Sequence, residues 1–362
     1  MRILLIDSGI GRIYRGVERF TINLAVNLAK MNEEVIVISR VKPKDFNMLK
    51  NITHICSPII HRESLFYWKR PFEEISSSVE VLSLSFSSFF KISRIQFDVA
   101  IVNHFSDAYL LPFLKKVKGI NIKLVCVLHS TPRIISLPFH LPVVFADKAI
   151  CVSNYVKEKL KRLLPIRDAV TIYNGVDTGF FKPIKEMRKE ENTILFVGAL
   201  LKKKGIFTLL KVAKRMKNTN FWIVGDGPEK ERVRRLAKKL KNVSIFLKVS
   251  DETLVKLYSS ATLTVIPSQY PEALSIVPLE SFSCGTPVLA SDIGGLGEIT
   301  KLLGGVTFVP GNEMDLEEKI VYLLESERVR KKIGSEGRRR VKKSFDWKVI
   351  ARSYLKEIKR IL

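Results

Sequence analysis

The chain has 362 residues, with 61 Lys plus Arg against 36 Asp plus Glu, a formal charge of +25. That length supplies two or three domains with buried cores, and no apolar run approaches the roughly eighteen residues of a membrane-spanning helix. The positive field favours anionic partners, nucleotide phosphates or an acidic lipid surface; without finger, RNP-type or basic-arm patterns, nucleic acid is set aside.

Residues 2–7 read as a short buried strand running into Ser8-Gly9, with no cleavage-type region of a signal peptide. Gly16 opens a segment, 16–30, with helical periodicity. Apolar runs at 34–39, 98–103, 122–128, 148–152 and 169–173 read as further strands. Between 61 and 97, aromatics from Phe66 to Phe97 alternate with Arg62, Lys69, Arg70, Lys91 and Arg94. Two readings stand there: helices packed on the first sheet, or an amphipathic surface meeting anionic lipid or a lipid-linked acceptor. His104 and His129 each end a strand, and 137–146, with His140, is an apolar loop.

The pattern restarts after about residue 180. Strands are expected at 193–198, 220–225, 243–247, 262–267, 287–290 and 306–309, with helices over 205–217 and 229–241. Runs of Val, Ile, Leu and Phe without alternation suit strands covered on both faces. Repeated strand–helix units mean parallel, doubly wound sheets. The segment 182–191 is charged, holds Pro183 and lacks periodicity, so it is the expected linker. The expected fold is therefore α/β: two Rossmann-like domains, 1–181 and 192–346, facing a cleft, with a final helix, 347–362, free to cross back onto the first. Ligands should bind at the carboxyl ends of the strands. Cys56, Cys126, Cys151 and Cys284 show no metal-ligand spacing, which implies reduced thiols in a cytoplasmic protein.

The stretch from Glu272 to Glu280 carries the most chemistry. Ser275 suits an N-cap, Pro278 falls in the first turn, and Cys284-Gly285-Thr286-Pro287 closes the helix. The amides of Leu274, Ser275, Ile276 and Val277 would then present the positive end of the helix to a phosphate. Two carboxylates eight residues apart lie about 12 Å apart along a helix axis. That is too far to share one proton or one metal, and suits gripping two hydroxyl-rich ends of one ligand.

These motifs together resemble the retaining, two-domain (GT-B) glycosyltransferases of family 4. The resemblance covers most of the chain and rests on ordered segments: Val170 to Asp177, Phe196-Val197-Gly198 with Lys204-Gly205, Gly225-Asp226-Gly227-Pro228, Pro267-Ser268 with Glu272 to Glu280, and Gly285 to Val288 followed by Ser291 to Gly295. It implies that Lys204 contacts the donor diphosphate, Glu280 the ribose hydroxyls and Glu272 the donor sugar, with His129 facing that sugar. Gly16 matches a glycine loop that approaches donor phosphate or acceptor closely. His129, Lys204 and Glu272 are thus the implied catalytic residues. Gly16, Gly198, Lys204, Gly225, Leu274, Ser275, Ile276 and Glu280 are the implied donor-binding set. Ala199 stands where the family usually has Arg, with Lys202 and Lys203 as candidate substitutes. Ala273 and Ser275 replace glycines, and Leu247 stands where a glycine is common.

What the resemblance implies is a metal-independent hexosyltransferase that retains anomeric configuration and needs no cofactor, the nucleotide-sugar being substrate. UDP-sugar is the first expectation for donor and GDP-sugar the second. The acceptor would be a hydroxyl of a glycan or lipid-linked molecule, met in the cytoplasm or at the cytoplasmic face of a membrane. A GT-B epimerase of nucleotide sugars and a non-catalytic sugar-nucleotide-binding module are the rival readings.

Overall fold

The structure, a computed structural model, describes residues 1–7, 10, 16–57, 87–89, 91–103, 111, 122–131, 141–166 and 168–362. The aromatic stretch from Phe66 to Phe86, with Phe90, lies outside these residues, as do Arg15, His104 and His140. The chain forms two compact units, one of Met1–Tyr173 with Trp347–Leu362, the other of Asn174–Asp346.

In the first unit, strands β1 (Arg2–Ile6), β2 (Glu34–Ser39), β3 (Ile52–Cys56), β4 (Val99–Val102), β5 (Lys123–Leu128), β6 (Lys148–Cys151) and β7 (Ala169–Thr171) form one sheet. Its order is β3-β2-β1-β4-β5-β6-β7, and the pairs are parallel. Strand β3 is an addition to the sequence-based expectation. Its residues, Ile-Thr-His-Ile-Cys, are only partly buried, because an edge strand has a neighbour on one side alone. Helix α1 (Gly16–Ala29) buries Phe20, Leu24, Ala25 and Leu28. Helix α2 (Asn154–Leu163) starts where the Ser153 hydroxyl accepts from the Val156 amide.

The second unit repeats the plan. Its strands are β8 (Thr193–Val197), β9 (Asn220–Val224), β10 (Val243–Phe246), β11 (Leu263–Ile266), β12 (Val288–Ser291) and β13 (Val306–Phe308). They pair in the order β10-β9-β8-β11-β12-β13, all parallel. Between them run α3 (Ile206–Arg215), α4 (Lys230–Ala237), α5 (Asp251–Ser260), α6 (Val277–Ser283) and α7 (Gly294–Leu302), followed by α8 (Glu313–Glu325) and α9 (Glu327–Ser344). Side chains of Ser250, Asn312 and Ser326 cap α5, α8 and α9. A core of Ile194, Phe196, Leu209, Phe221, Ile223 and Val265 lies beneath.

The last helix, α10 (Trp347–Ile361), groups with the first unit. Phe20 of α1 meets the rings of Trp347 and Tyr354 at 5.6 and 5.7 Å. Lys148 of β6 is nearly buried and bridges Asp168 at 2.5 Å and Glu357 of α10 at 3.0 Å. Burial alone would lower the Lys148 pKa, but its bonds to the two carboxylates outweigh that and raise it.

The expected linker, 182–191, belongs to the second unit, and the division falls at Tyr173/Asn174 instead of 181. The reason is packing. Ile184 donates its amide to Ser259 and Glu190 to the Ser260 carbonyl. The Lys189 ammonium donates to the Ala261 carbonyl at 2.8 Å and the Thr286 hydroxyl at 2.5 Å. Burial lowers the Lys189 pKa to about 8.

Candidate active site

The sheet order 3-2-1-4-5-6 places a topological switch point between β8 and β11, where open α/β sheets bind ligands at their carboxyl ends. The loop leaving β8 begins at Gly198, continues as a 3-10 turn over Lys202–Lys204 and reaches Gly205 in the left-handed region, φ 72°. A Cβ at Gly205 would stand 1.7 Å from the Pro267 carbonyl oxygen, so glycine lets this loop lie directly on the end of β11. Lys204 is thereby brought to the loop that follows β11.

There the Lys204 ammonium meets a Glu272 carboxylate oxygen at 2.6 Å. The other Glu272 oxygen accepts from the Ser268 hydroxyl at 2.5 Å. The two charged side chains retain 26% and 15% exposure, so the pair is accessible to a ligand. Backbone packing fixes Glu272 as well: its carbonyl accepts from the Gly295 amide at 2.8 Å. A Cβ at Gly295 would stand 1.9 Å from the Ala273 carbonyl oxygen.

Glu280 sits on α6, 5% exposed, and accepts from the Tyr258 hydroxyl at 2.9 Å. Burial, with the Glu280 charge beside it, pushes the Tyr258 phenol well above its usual pKa. The same two causes push the Cys284 thiol up to about 12. The expected capping differs in detail: the N-cap is Ile276, without a side-chain bond, and Ser275 is buried one residue earlier. Pro278 takes the first turn as expected. Leu274, Ser275 and Ile276 lead into the helix, whose first bond runs from the Glu280 amide to the Ile276 carbonyl. Glu272 is therefore in the preceding loop and not on the helix axis, so the axial spacing expected between the two carboxylates does not apply.

Gly225, φ 150°, packs its backbone on the other side of the same loop, where a Cβ would stand 1.9 Å from the Gly198 carbonyl oxygen. A Cβ at Gly198 itself would make only ordinary contact with Phe196, at 3.5 Å, and one at Gly16 would meet nothing within 4 Å. At these two positions the protein makes no demand for glycine. Lys203, a candidate substitute for the missing arginine, stands over the Tyr270 ring at 5.5 Å.

In the first unit His129 follows β5, its Nε2 3.1 Å from the Asn103 Oδ1 and its ring edge-on to Phe20 at 4.6 Å. Sequence reasoning missed Ser268, Tyr258 and Asn103. Ser268 lies inside a recognised segment; Tyr258 and Asn103 carry no local pattern. Among the described residues no group of three or more His, Cys, Asp or Glu side chains is placed to hold a metal. Among them, too, no helix is long and apolar enough to cross a membrane. Cys126, Cys151 and Cys284 are buried and form no disulfide, and Cys56 is exposed.

Two parallel Rossmann-like sheets define a GT-B-type protein, with Lys204 paired to Glu272 after β8 and β11 and Glu280 on the helix that follows. Comparison with known proteins agrees. The model for glycosyl transferases group 1 matches residues 177–340, and that for glycosyltransferase family 4 matches 14–180. An uncharacterized glycosyltransferase of Methanocaldococcus jannaschii is 34% identical over 205 residues, 56% of this chain and 56% of the relative, so that match spans little more than half its length. Among solved structures, a sucrose-phosphate synthase from Thermosynechococcus elongatus superposes with a TM-score of 0.85 at 20% identity, covering 99% and 98% of the two chains. Anabaena HepE in complex with UDP and glucose gives 0.79 at 18% identity, covering 99% and 100%. The chain belongs to the family 4, group 1 glycosyltransferases of GT-B fold.

Proposed function

We propose that the protein transfers a hexose from a nucleotide-diphosphate sugar to a hydroxyl of a glycan or lipid-linked acceptor, with retention and without a metal. The observation that carries this reading is the Lys204–Glu272 pair at the switch point of the second sheet, with Glu280 held on the following helix. Lys204 would neutralise charge on the departing nucleotide diphosphate, which is where charge develops as the glycosidic bond breaks. Glu280 accepts hydrogen bonds from the ribose hydroxyls. Glu272 and the backbone of Leu274, Ser275 and Ile276 hold the sugar and phosphate, and Gly198 and Gly225 bound the diphosphate loop.

In the first unit the family resemblance assigns His129 to the reacting sugar, Gly16 to donor phosphate or acceptor, and the unit as a whole to the acceptor. No residue serves as a covalent nucleophile in this scheme; attack on the face from which the nucleotide leaves accounts for retention. UDP-sugar is the preferred donor, supported by the complexes of the fold neighbour HepE with UDP and with UDP-glucose, and GDP-sugar is second. The site of action is the cytoplasm or the cytoplasmic face of an anionic membrane, which the net charge of +25 would favour.

The test is incubation of the protein with radiolabelled UDP- and GDP-sugars. Slow release of free sugar with unchanged stereochemistry at the other ring carbons is expected. An altered sugar would identify an epimerase, and binding without turnover a sugar-nucleotide-binding module.

A further inference from the structure

The first sheet has its own switch point, between β1 and β4. Asp7 follows β1 and Asn103 follows β4, both buried, at 0% and 4% exposure. Thr21 of α1, also fully buried, lies between them. Its hydroxyl donates to the Asp7 carboxylate, with the Val17 carbonyl as a second acceptor at 3.2 Å. The Asn103 Nδ2 donates to the Thr21 oxygen at 2.6 Å, and Asn103 Oδ1 faces His129 Nε2 at 3.1 Å. One continuous chain of side-chain hydrogen bonds thus joins a buried carboxylate to the histidine.

The direction of every bond in this chain follows from its first member. A hydroxyl has one hydrogen, and a carboxylate and a carbonyl only accept. The Thr21 hydrogen is therefore committed to Asp7 or Val17, and toward Asn103 the Thr21 oxygen can only accept. Asn103 must present its NH2 to Thr21, which turns its oxygen toward His129. An amide oxygen only accepts, so His129 Nε2 carries a hydrogen. Which ring nitrogen of a histidine is protonated is set by such a partner.

We propose that Asp7, Thr21 and Asn103 are positioning residues that hold His129 as the Nε2–H tautomer and fix its ring plane against Phe20. This inference rests on the assignment of His129 to the reacting sugar for its catalytic meaning, though not for the tautomer itself. The device explains why a carboxylate is buried at the end of β1 with a threonine as its partner. Three buried residues thus decide what hydrogen-bonding face the histidine offers.

The experiment is 15N NMR of the full chain labelled at histidine, recorded at a pH where the ring is neutral. The five histidines make assignment by His129→Gln tractable. The wild type should show His129 as the Nε2–H tautomer. Asn103→Leu should give mixed tautomers and lower kcat by about tenfold, the worth of one hydrogen bond, with the donor KM little changed. Thr21→Ser, which keeps the hydroxyl, should restore both to wild-type values where Thr21→Val does not. An Nδ1–H tautomer in the wild type overturns the proposal, as does an unchanged His129 signal with unchanged kcat in Asn103→Leu. The wild-type spectrum needs no substrate, so it decides the relay even where transferase activity is absent. Unchanged activity of His129→Gln would instead remove the catalytic assignment.

Discussion

The Lys204 ammonium and the Glu272 carboxylate meet at 2.6 Å, so one glutamate oxygen occupies a position that a phosphate oxygen would compete for. The two substitutions should therefore act in opposite directions on a nucleoside diphosphate. Lys204→Ala removes a charge-assisted contact and should weaken UDP binding by about tenfold or more. Glu272→Gln removes the competitor and should tighten UDP by a few fold. The same Glu272→Gln variant should transfer sugar more slowly. Isothermal titration with UDP beside a turnover assay reads both effects.

Tyr258 is fully buried and its hydroxyl serves the Glu280 carboxylate. Tyr258→Phe leaves that buried carboxylate one donor short, at a cost of about 1–3 kcal/mol. Urea denaturation should record the loss, and nucleotide affinity should fall with it, since Glu280 loses one of the bonds that orient it. Wild-type affinity in a destabilised Tyr258→Phe protein would separate Glu280 from the nucleotide.

Glycines of the site divide by what surrounds them. Gly295→Ala forces a Cβ to 1.9 Å from the Ala273 carbonyl oxygen and 3.2 Å from that of Glu272, both backbone, and should destabilise the second unit while shifting Glu272. Gly198→Ala meets only a Phe196 ring atom at 3.5 Å, so the melting temperature should hardly move. Loss of donor binding in a stable Gly198→Ala protein would then report the ligand's own need for space.

Much of this architecture is legible from residues. Uninterrupted apolar runs in β1, β2, β5 and β8 mark buried parallel strands. The edge strand β3 escapes because Thr53 and His54 interrupt its apolar run. The charged stretch 182–191 groups with the second unit although its charge in sequence suggests solvent, because the Lys189 ammonium is held by protein acceptors. At the site, Lys204, Glu272 and Glu280 are visible as a motif. The chain Asp7–Thr21–Asn103–His129 is not, because its members lie singly just beyond three strands and on one helix, and only the parallel register brings them together.

Lys189 also gives a pH dependence. The Lys189 pKa is about 8 in the folded protein against 10.5 for an unperturbed lysine, lowered by burial. Between those values the unfolded chain holds a proton that the folded one has released, so this contribution to stability rises with pH through the window and is flat below it. The wild type minus Lys189→Met difference in unfolding free energy should climb with pH through this window. Taking the difference in a Cys284→Ser background, which removes the thiol that interacts with the Lys189 charge, cancels the titration of Tyr258.

The central claim is that the second unit holds a nucleotide-diphosphate sugar at Lys204 and Glu280. A thermal-shift titration with UDP, GDP, ADP and their sugars, run on the wild type, Lys204→Ala and Glu280→Ala, tests it most directly. Wild-type protein should be stabilised by a uridine or guanosine diphosphate sugar, with both variants losing most of that shift. Equal stabilisation of all three proteins by the same compound, or none of the wild type by any, would contradict the account.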